Sequence, residues 1–147
     1  MKTVAVSGGF DPIHIGHVEM FQEAKALGEK LIVIVNNDNW LMKKKGFVFM
    51  PEKERVEIIK SIRYVDEVIL TKHEPGPKDM SVCQALEELR PDIFANGGDR
   101  KPDGDPVPEV ELCNRLGIEL VYNIGKSGKI QSSSELVKKA KEKTTAK

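Results

Sequence analysis

Five short apolar runs divide this chain, and between them the apolar residues recur at helical spacing. The runs are TVAVS (Thr3 to Ser7), KLIVIVN, VDEVIL, DIFAN and IELVYN. Each is short and rich in β-branched or aliphatic residues, which reads as a buried strand. Val18, Phe21, Ala24 and Leu27 share one helical face between the first two runs, and Gly28 supplies a stop. Val56, Ile59 and Ile62 do the same in PEKERVEIIKSI, where Pro51 suits a helix start and acids fill the first turn. DMSVCQALEEL, with Asp79 or Ser81 as cap, and VPEVELCNRLG, closed by Gly117, give two further helices. A last helix is expected from about Ser132, fraying into a mobile polar tail over 138–147. Strict alternation of strand and helix predicts an α/β fold: a Rossmann-like, doubly wound, five-stranded parallel sheet in a single domain over 1–147. In such a sheet ligands bind at the carboxyl ends of the strands. The segments after the strands therefore matter most.

Bulk properties narrow the class. With 39% hydrophobic and 31% charged residues the chain has the composition of a soluble globular domain. Its 23 basic and 23 acidic residues balance, which leaves no nucleic-acid footprint. No apolar run approaches the roughly 18 residues that would suit a membrane span, and nothing near the N-terminus reads as a signal peptide. A cytoplasmic protein without a membrane partner is expected. Cys83 and Cys113 are widely separated in sequence, which suggests buried free thiols and not a disulfide framework or zinc site.

After the first strand comes GGFDPIHIGH. Glycines allow a ligand to approach the backbone, and the helix that follows aims its free N–H groups at whatever sits there. His14 and His17, three apart at the helix start, lie on roughly one face and can donate to phosphoryl oxygens. A plain capping turn is the other reading, but it explains one histidine better than two with Gly16 between them. The G-x-G-x-x-G dinucleotide fingerprint is absent. Beyond the second strand, NNDNWLMKKKGF gathers Lys43, Lys44 and Lys45 in what reads as a basic loop, with Trp40 either walling a pocket or packing beneath it. ANGGDR puts Gly97, Gly98, Asp99 and Arg100 at the exit of the fourth strand, either as a tight turn or as a place where a ligand comes close. GKSGKIQSSSELV brings Lys126, Lys129 and a run of serines to a helix start, where one serine is a cap and several make an anion site. By spacing alone, Arg55 and Arg63 are ordinary polar-face arginines. No serine–histidine–acid triad and no metal-ligand cluster is present, so no protein metal site is expected.

As a set, GGFDPIHIGH, KKKG, PEKER, IRYVDEV, GGD and QSSSEL resemble, in kind and in order, the motifs of the nucleotidyltransferase superfamily of cytidylyltransferase type, whose hallmark is H-x-G-H after a first strand. IRYVDEV is similar to glycerol-3-phosphate cytidylyltransferases, and NGGDR to the adenylyltransferases that make ADP-heptose. The resemblance implies transfer of a nucleoside monophosphate, foremost CMP from CTP, onto a small phosphorylated alcohol or polyol, with pyrophosphate leaving by direct in-line displacement. Adenylyl transfer onto a heptose phosphate, a flavin-nucleotide adenylyltransferase, and a nucleotide-binding regulatory module without turnover are the alternatives. It further implies His14, His17, Lys45 and Arg55 as catalytic residues. Gly8, Gly9, Phe10, Gly16, Gly98, Asp99, Ser132 and Ser133 are implied as nucleotide-binding, and Asp11, Lys43, Arg63 and Arg100 as facing the acceptor or a phosphate. Mg²⁺ riding on the triphosphate and a homodimer complete what it implies.

Overall fold

The computed structural model describes residues 1–97 and 107–124. Five strands are separated by helices, one between each pair except for two between β2 and β3: β1 (Thr3–Gly8), α1 (Ile15–Lys25), β2 (Lys30–Val35), α2 (Asp38–Lys45), α3 (Glu52–Lys60), β3 (Glu67–Leu70), α4 (Cys83–Leu89), β4 (Ile93–Gly97), α5 (Val107–Leu116) and β5 (Glu119–Ile124). All strand pairs are parallel, in the order β3-β2-β1-β4-β5. The strand order reverses between β1 and β4, and this is the switch point at which an open α/β sheet takes a ligand.

Both faces of the sheet are covered, as a parallel sheet requires. Period-two alternation sends Val4, Val6, Leu31, Val33 and Val35 to one face, where Phe21 and Ala24 of α1 and Ile59 of α3 meet them. Ala5, Ile34 and Phe94 point to the other, against Ala85 and Leu86 of α4 and Leu112 and Cys113 of α5. β2 is buried on both sides from Leu31 to Val35, which is why its sequence is one unbroken aliphatic run. Each fully buried Leu, Ile or Phe in these layers contributes about 1.5–3 kcal/mol. Neither cysteine is in a disulfide: Cys113 is buried, which pushes its thiol up to about 11, and Cys83, the first residue of α4, is half-buried against the same core layer. No helix among the described residues is long and apolar enough to cross a membrane.

The strands and four helices fall where the sequence periodicities put them. α2 is a difference. The segment expected to be a basic loop is an eight-residue helix. Asn37 caps it by accepting from Trp40 N at 3.0 Å, and Gly46 closes it in the left-handed region at φ 84°. The α4 cap also differs in detail. Val82 is the cap residue, while Asp79 accepts from Ser81 N and Ser81 Oγ from Cys83 N, so both expected caps act one turn before the helix. The expected last helix and tail lie outside the described residues.

Candidate active site

The first β-strand ends in a turn that folds back on itself. Phe10 adopts a left-handed backbone (φ 53°), and the Asp11–Pro12 peptide is cis. Phe10's ring is buried against Phe21, with centroids 5.4 Å apart. A Cβ at Gly8 would come within 2.9 Å of that ring, so the first glycine makes room for the phenylalanine. A Cβ at Gly9 would press on Leu41 and Trp40 at 3.1 and 3.3 Å, so the second lets α2 approach. The Phe10 side chain is core, because a large aromatic this close to β1 and α1 gains most by burial, which leaves its backbone as the part that faces the turn.

The α1 helix opens on a capping box made by the two histidines. His14 is the N-cap, and its Nδ1 accepts from Gly16 N at 3.1 Å. His17 Nδ1 in turn accepts from His14 N at 3.2 Å. The rings stack at 3.9 Å between centroids, and Phe10 meets His17 edge-on at 4.9 Å. An Nδ1 that accepts an amide proton cannot carry one, so this geometry assigns both rings the neutral form protonated on Nε2. Two parallel imidazoles thereby hold N–H donors at the positive end of a helix, an arrangement suited to an anion whose charge is shifting. Gly16 is at the second helical position, where its amide is the one His14 secures.

Lys45, in the last turn of α2, is the one of the three lysines turned inward. Its Nζ donates to Asp11 O at 3.0 Å. Desolvation by burial lowers its pKa from the ordinary lysine value; Asp11 opposes this, and Arg55 and Lys44 add to it. Lys43 is exposed, and Lys44 is exposed with its Nζ 5.9 Å from the Trp40 ring. Trp40 itself is partly buried, its Nε1 donating to Met80 O at 2.8 Å.

Three further expectations meet a different geometry. Arg55 is fully buried. It donates Nε to Met50 O (2.9 Å), Nη1 to Gly9 O (2.7 Å) and Asn36 O (2.6 Å), and Nη2 to Asp38 Oδ1 (2.7 Å). A guanidinium out of water must be surrounded by acceptors, and this one ties together the ends of β1 and β2, the start of α2 and the start of α3. It is a structural node beneath the site and not an open phosphate clamp. Asp11 is also fully buried, its carboxylate accepting from Phe49 N and Met50 N, so the acid expected to face the acceptor instead staples the 46–50 segment. Arg63 lies on the opposite edge of the sheet. It belongs to the turn between α3 and β3, where Asp66 accepts from Leu31 N at the amino end of β2, and its guanidinium rests 5.4 Å from the Tyr64 ring. Within one chain it is remote from the histidines, because α3 runs antiparallel to the strands and carries its C-terminus away from their carboxyl ends. Gly98, Asp99, Arg100, Ser132 and Ser133 lie outside the described residues.

His73 escaped the sequence reading. Its Nδ1 is 2.8 Å from Thr71 Oγ1 and its Nε2 is 3.0 Å from Ser81 O, while its carbonyl accepts from the side chains of Asn37 and Asn39. The post-β3 segment is thus latched to the start of α2, and with α4 it borders a cleft of about 360 Å³. The legible signal was a histidine in a proline-rich loop directly after a strand.

The family model for cytidylyltransferase-like proteins matches residues 5–124, which span the glycine turn, the histidine pair, α2 and every strand. The chain belongs to the cytidylyltransferase-like family. Within it, a FAD synthase of Pyrococcus horikoshii is 38% identical over 119 residues, covering 80% of this chain and 77% of that protein. An ethanolamine-phosphate cytidylyltransferase of Dictyostelium discoideum is 35% identical over 143 residues, covering 94% of this chain but 37% of that much longer protein. The crystal structure of a lipopolysaccharide core biosynthesis protein from Thermoplasma volcanium superposes with a TM-score of 0.67 at 30% identity, covering 84% of this chain and 94% of that one. As a member of this family the cytidylyltransferase-like chain is a nucleotidyltransferase.

Proposed function

We propose that this nucleotidyltransferase transfers AMP from ATP onto FMN, giving FAD and pyrophosphate. The observation that carries the transfer step is the histidine capping box: two Nε2–H donors fixed side by side at a helix start, with the inward-facing ammonium of Lys45 nearby. ATP and FMN as the pair are supported by the FAD synthases, which recur among the relatives at 33–40% identity. This choice departs from the CTP reading foremost in the sequence.

In the step itself, an oxygen of the acceptor phosphate attacks the α-phosphorus, and a new P–O bond forms as the bond to the β-phosphate bridging oxygen breaks. Pyrophosphate leaves with that electron pair. The attacking phosphate is already anionic at neutral pH, so no general base and no covalent enzyme intermediate is needed. His14 and His17 donate to the oxygens on which charge builds, and Lys45 neutralises phosphate charge at the same edge; positioning and electrostatics supply the rate. Mg²⁺ belongs to the triphosphate substrate. The nearby acids fit that assignment, since Asp11 holds two backbone amides and Asp38 holds Arg55. The family resemblance assigns the nucleoside to Gly98 and Asp99, the acceptor or a phosphate to Arg100, and the leaving pyrophosphate to Ser132 and Ser133. It also supports a homodimer, which light scattering checks.

A second reading, CMP from CTP onto a phosphorylated alcohol, is favoured by the 35% identity with the ethanolamine-phosphate enzyme over nearly the whole chain. Pyrophosphate release, measured for ATP and CTP against FMN, glycerol 3-phosphate, ethanolamine phosphate and a heptose phosphate, decides between them. Fastest release is expected with ATP and FMN. Release only with CTP and a phosphorylated alcohol overturns the first reading, and binding of triphosphate without release from any pair overturns both.

A further inference from the structure

We infer that Phe49, with Ile15 beside the histidines, forms the apolar surface on which the planar ring system of the acceptor rests. This rests on the FMN reading above and adds the residues that would recognise its ring.

The two side chains are among the most exposed large apolar groups of the described residues, each 54% accessible. Scattered single apolar residues on a surface need no explanation. These two are not scattered relative to the site. Ile15 stands between His14 and Gly16, inside the capping box. Phe49 is joined to the same place through one residue: its backbone N donates to Asp11 Oδ2 at 2.8 Å, and Lys45 Nζ donates to Asp11 O at 3.0 Å. Asp11 is fully buried and also holds Met50 N. The backbone under Phe49 is therefore fixed while its ring faces water. A buried carboxylate that anchors the main chain beneath an exposed aromatic leaves the ring pre-organised and still available.

The ligand chemistry follows from what lies on either side. Cationic and N–H groups suited to phosphate adjoin a rigid aromatic and a branched aliphatic. That combination fits a molecule that is anionic at one end and planar and apolar at the other. Glycerol 3-phosphate and ethanolamine phosphate have no such body; a flavin nucleotide has. Stacking on an aromatic side chain is the ordinary way for a protein to hold a flat heterocycle.

The decisive experiment compares wild type with Phe49→Ala, Phe49→Trp and Ile15→Ser, using steady-state kinetics and the fluorescence of bound FMN. Phe49→Ala removes only an exposed ring and leaves the amide that Asp11 holds, so the variant is expected to fold. Its KM for FMN should rise about tenfold while its KM for ATP stays within about twofold. Quenching of FMN fluorescence on binding should weaken in Phe49→Ala and return in Phe49→Trp, and Ile15→Ser should give a smaller rise in the KM for FMN. A wild type that adenylylates FMN, with Phe49→Ala unchanged in both KM and quenching, overturns this inference alone. A wild type that turns over no FMN but accepts another phosphate overturns the acceptor reading and the ring surface with it.

Discussion

His14 and His17 hold each other's helix turn: the Nδ1 of His14 takes the amide of Gly16, and the Nδ1 of His17 takes the amide of His14. The side chains proposed to stabilise the transferring phosphate are also the cap of the helix that carries them. Catalysis and local folding are therefore linked at one point.

His17→Ala should lower kcat by about two to three orders of magnitude, the loss expected when one pre-organised donor is removed. Equilibrium binding of the triphosphate should change little. Loss of half the capping box should cost a further ~0.5–2 kcal/mol of stability, read from the urea midpoint. Wild-type turnover in the folded variant would remove His17 from the mechanism.

Lys45 makes a pH prediction. Burial lowers its pKa, so its positive charge is lost earlier on the alkaline side than that of an ordinary lysine. If that charge serves the phosphates, kcat/KM should fall on an alkaline limb that Lys45→Arg removes, because a guanidinium stays protonated there. An alkaline limb identical in the two proteins would assign it to another group.

Arg55→Met should destabilise the fold by about 3 kcal/mol or more, since it strips Asp38 of its partner and leaves the Gly9, Asn36 and Met50 carbonyls without their donor. Arg55→Lys should recover only part of this, because an ammonium lacks the planar fork. Urea unfolding measures both. A clamp on bound phosphate would instead give variants of undiminished stability with a raised KM for the triphosphate.

At the opposite edge of the sheet, Asp66 accepts from Lys25 and from Leu31 N, and these contacts hold its carboxyl below the usual range. A carboxylate whose folded pKa is depressed stabilises the fold above its unfolded pKa, and this is lost as the pH falls through the folded value. Asp66→Asn should therefore be less stable than wild type at pH 7 by under about 1 kcal/mol, its exposure screening the pair. The two midpoints should converge below about pH 4. A constant gap across that range would assign the effect to packing.

The strand pattern was legible because each apolar run is short and rich in β-branched or aliphatic residues, most plainly in β2, which is buried on both faces from Leu31 to Val35. α2 was not: of DNWLMKKK only Leu41 is buried, so no apolar stripe marks it, and its evidence was confined to the Asn37 cap and Gly46. The histidine pair was legible because helix start and turn glycines are local. Arg55 was not, since its acceptors come from three other segments and spacing on α3 says only that it neighbours Val56. Asp11 failed for the same reason, its partners lying 38 and 39 positions away. Local chemistry can be read from a string of letters; which charges the fold turns inward depends on carbonyls and amides brought together from afar.

The Arg55 guanidinium ties four segments of the molecule together through its bonds to Gly9, Asn36, Asp38 and Met50. A segment tied in this way has little freedom to drift relative to the others. Phe49, held by its backbone at the same place, turns its side chain outward to water. A protein built this way can exchange the molecule it modifies by altering a few outward-facing side chains while its transfer step stays the same. Diversity of product among such enzymes would then arise at the periphery, with the shared chemistry protected by the rigidity beneath it.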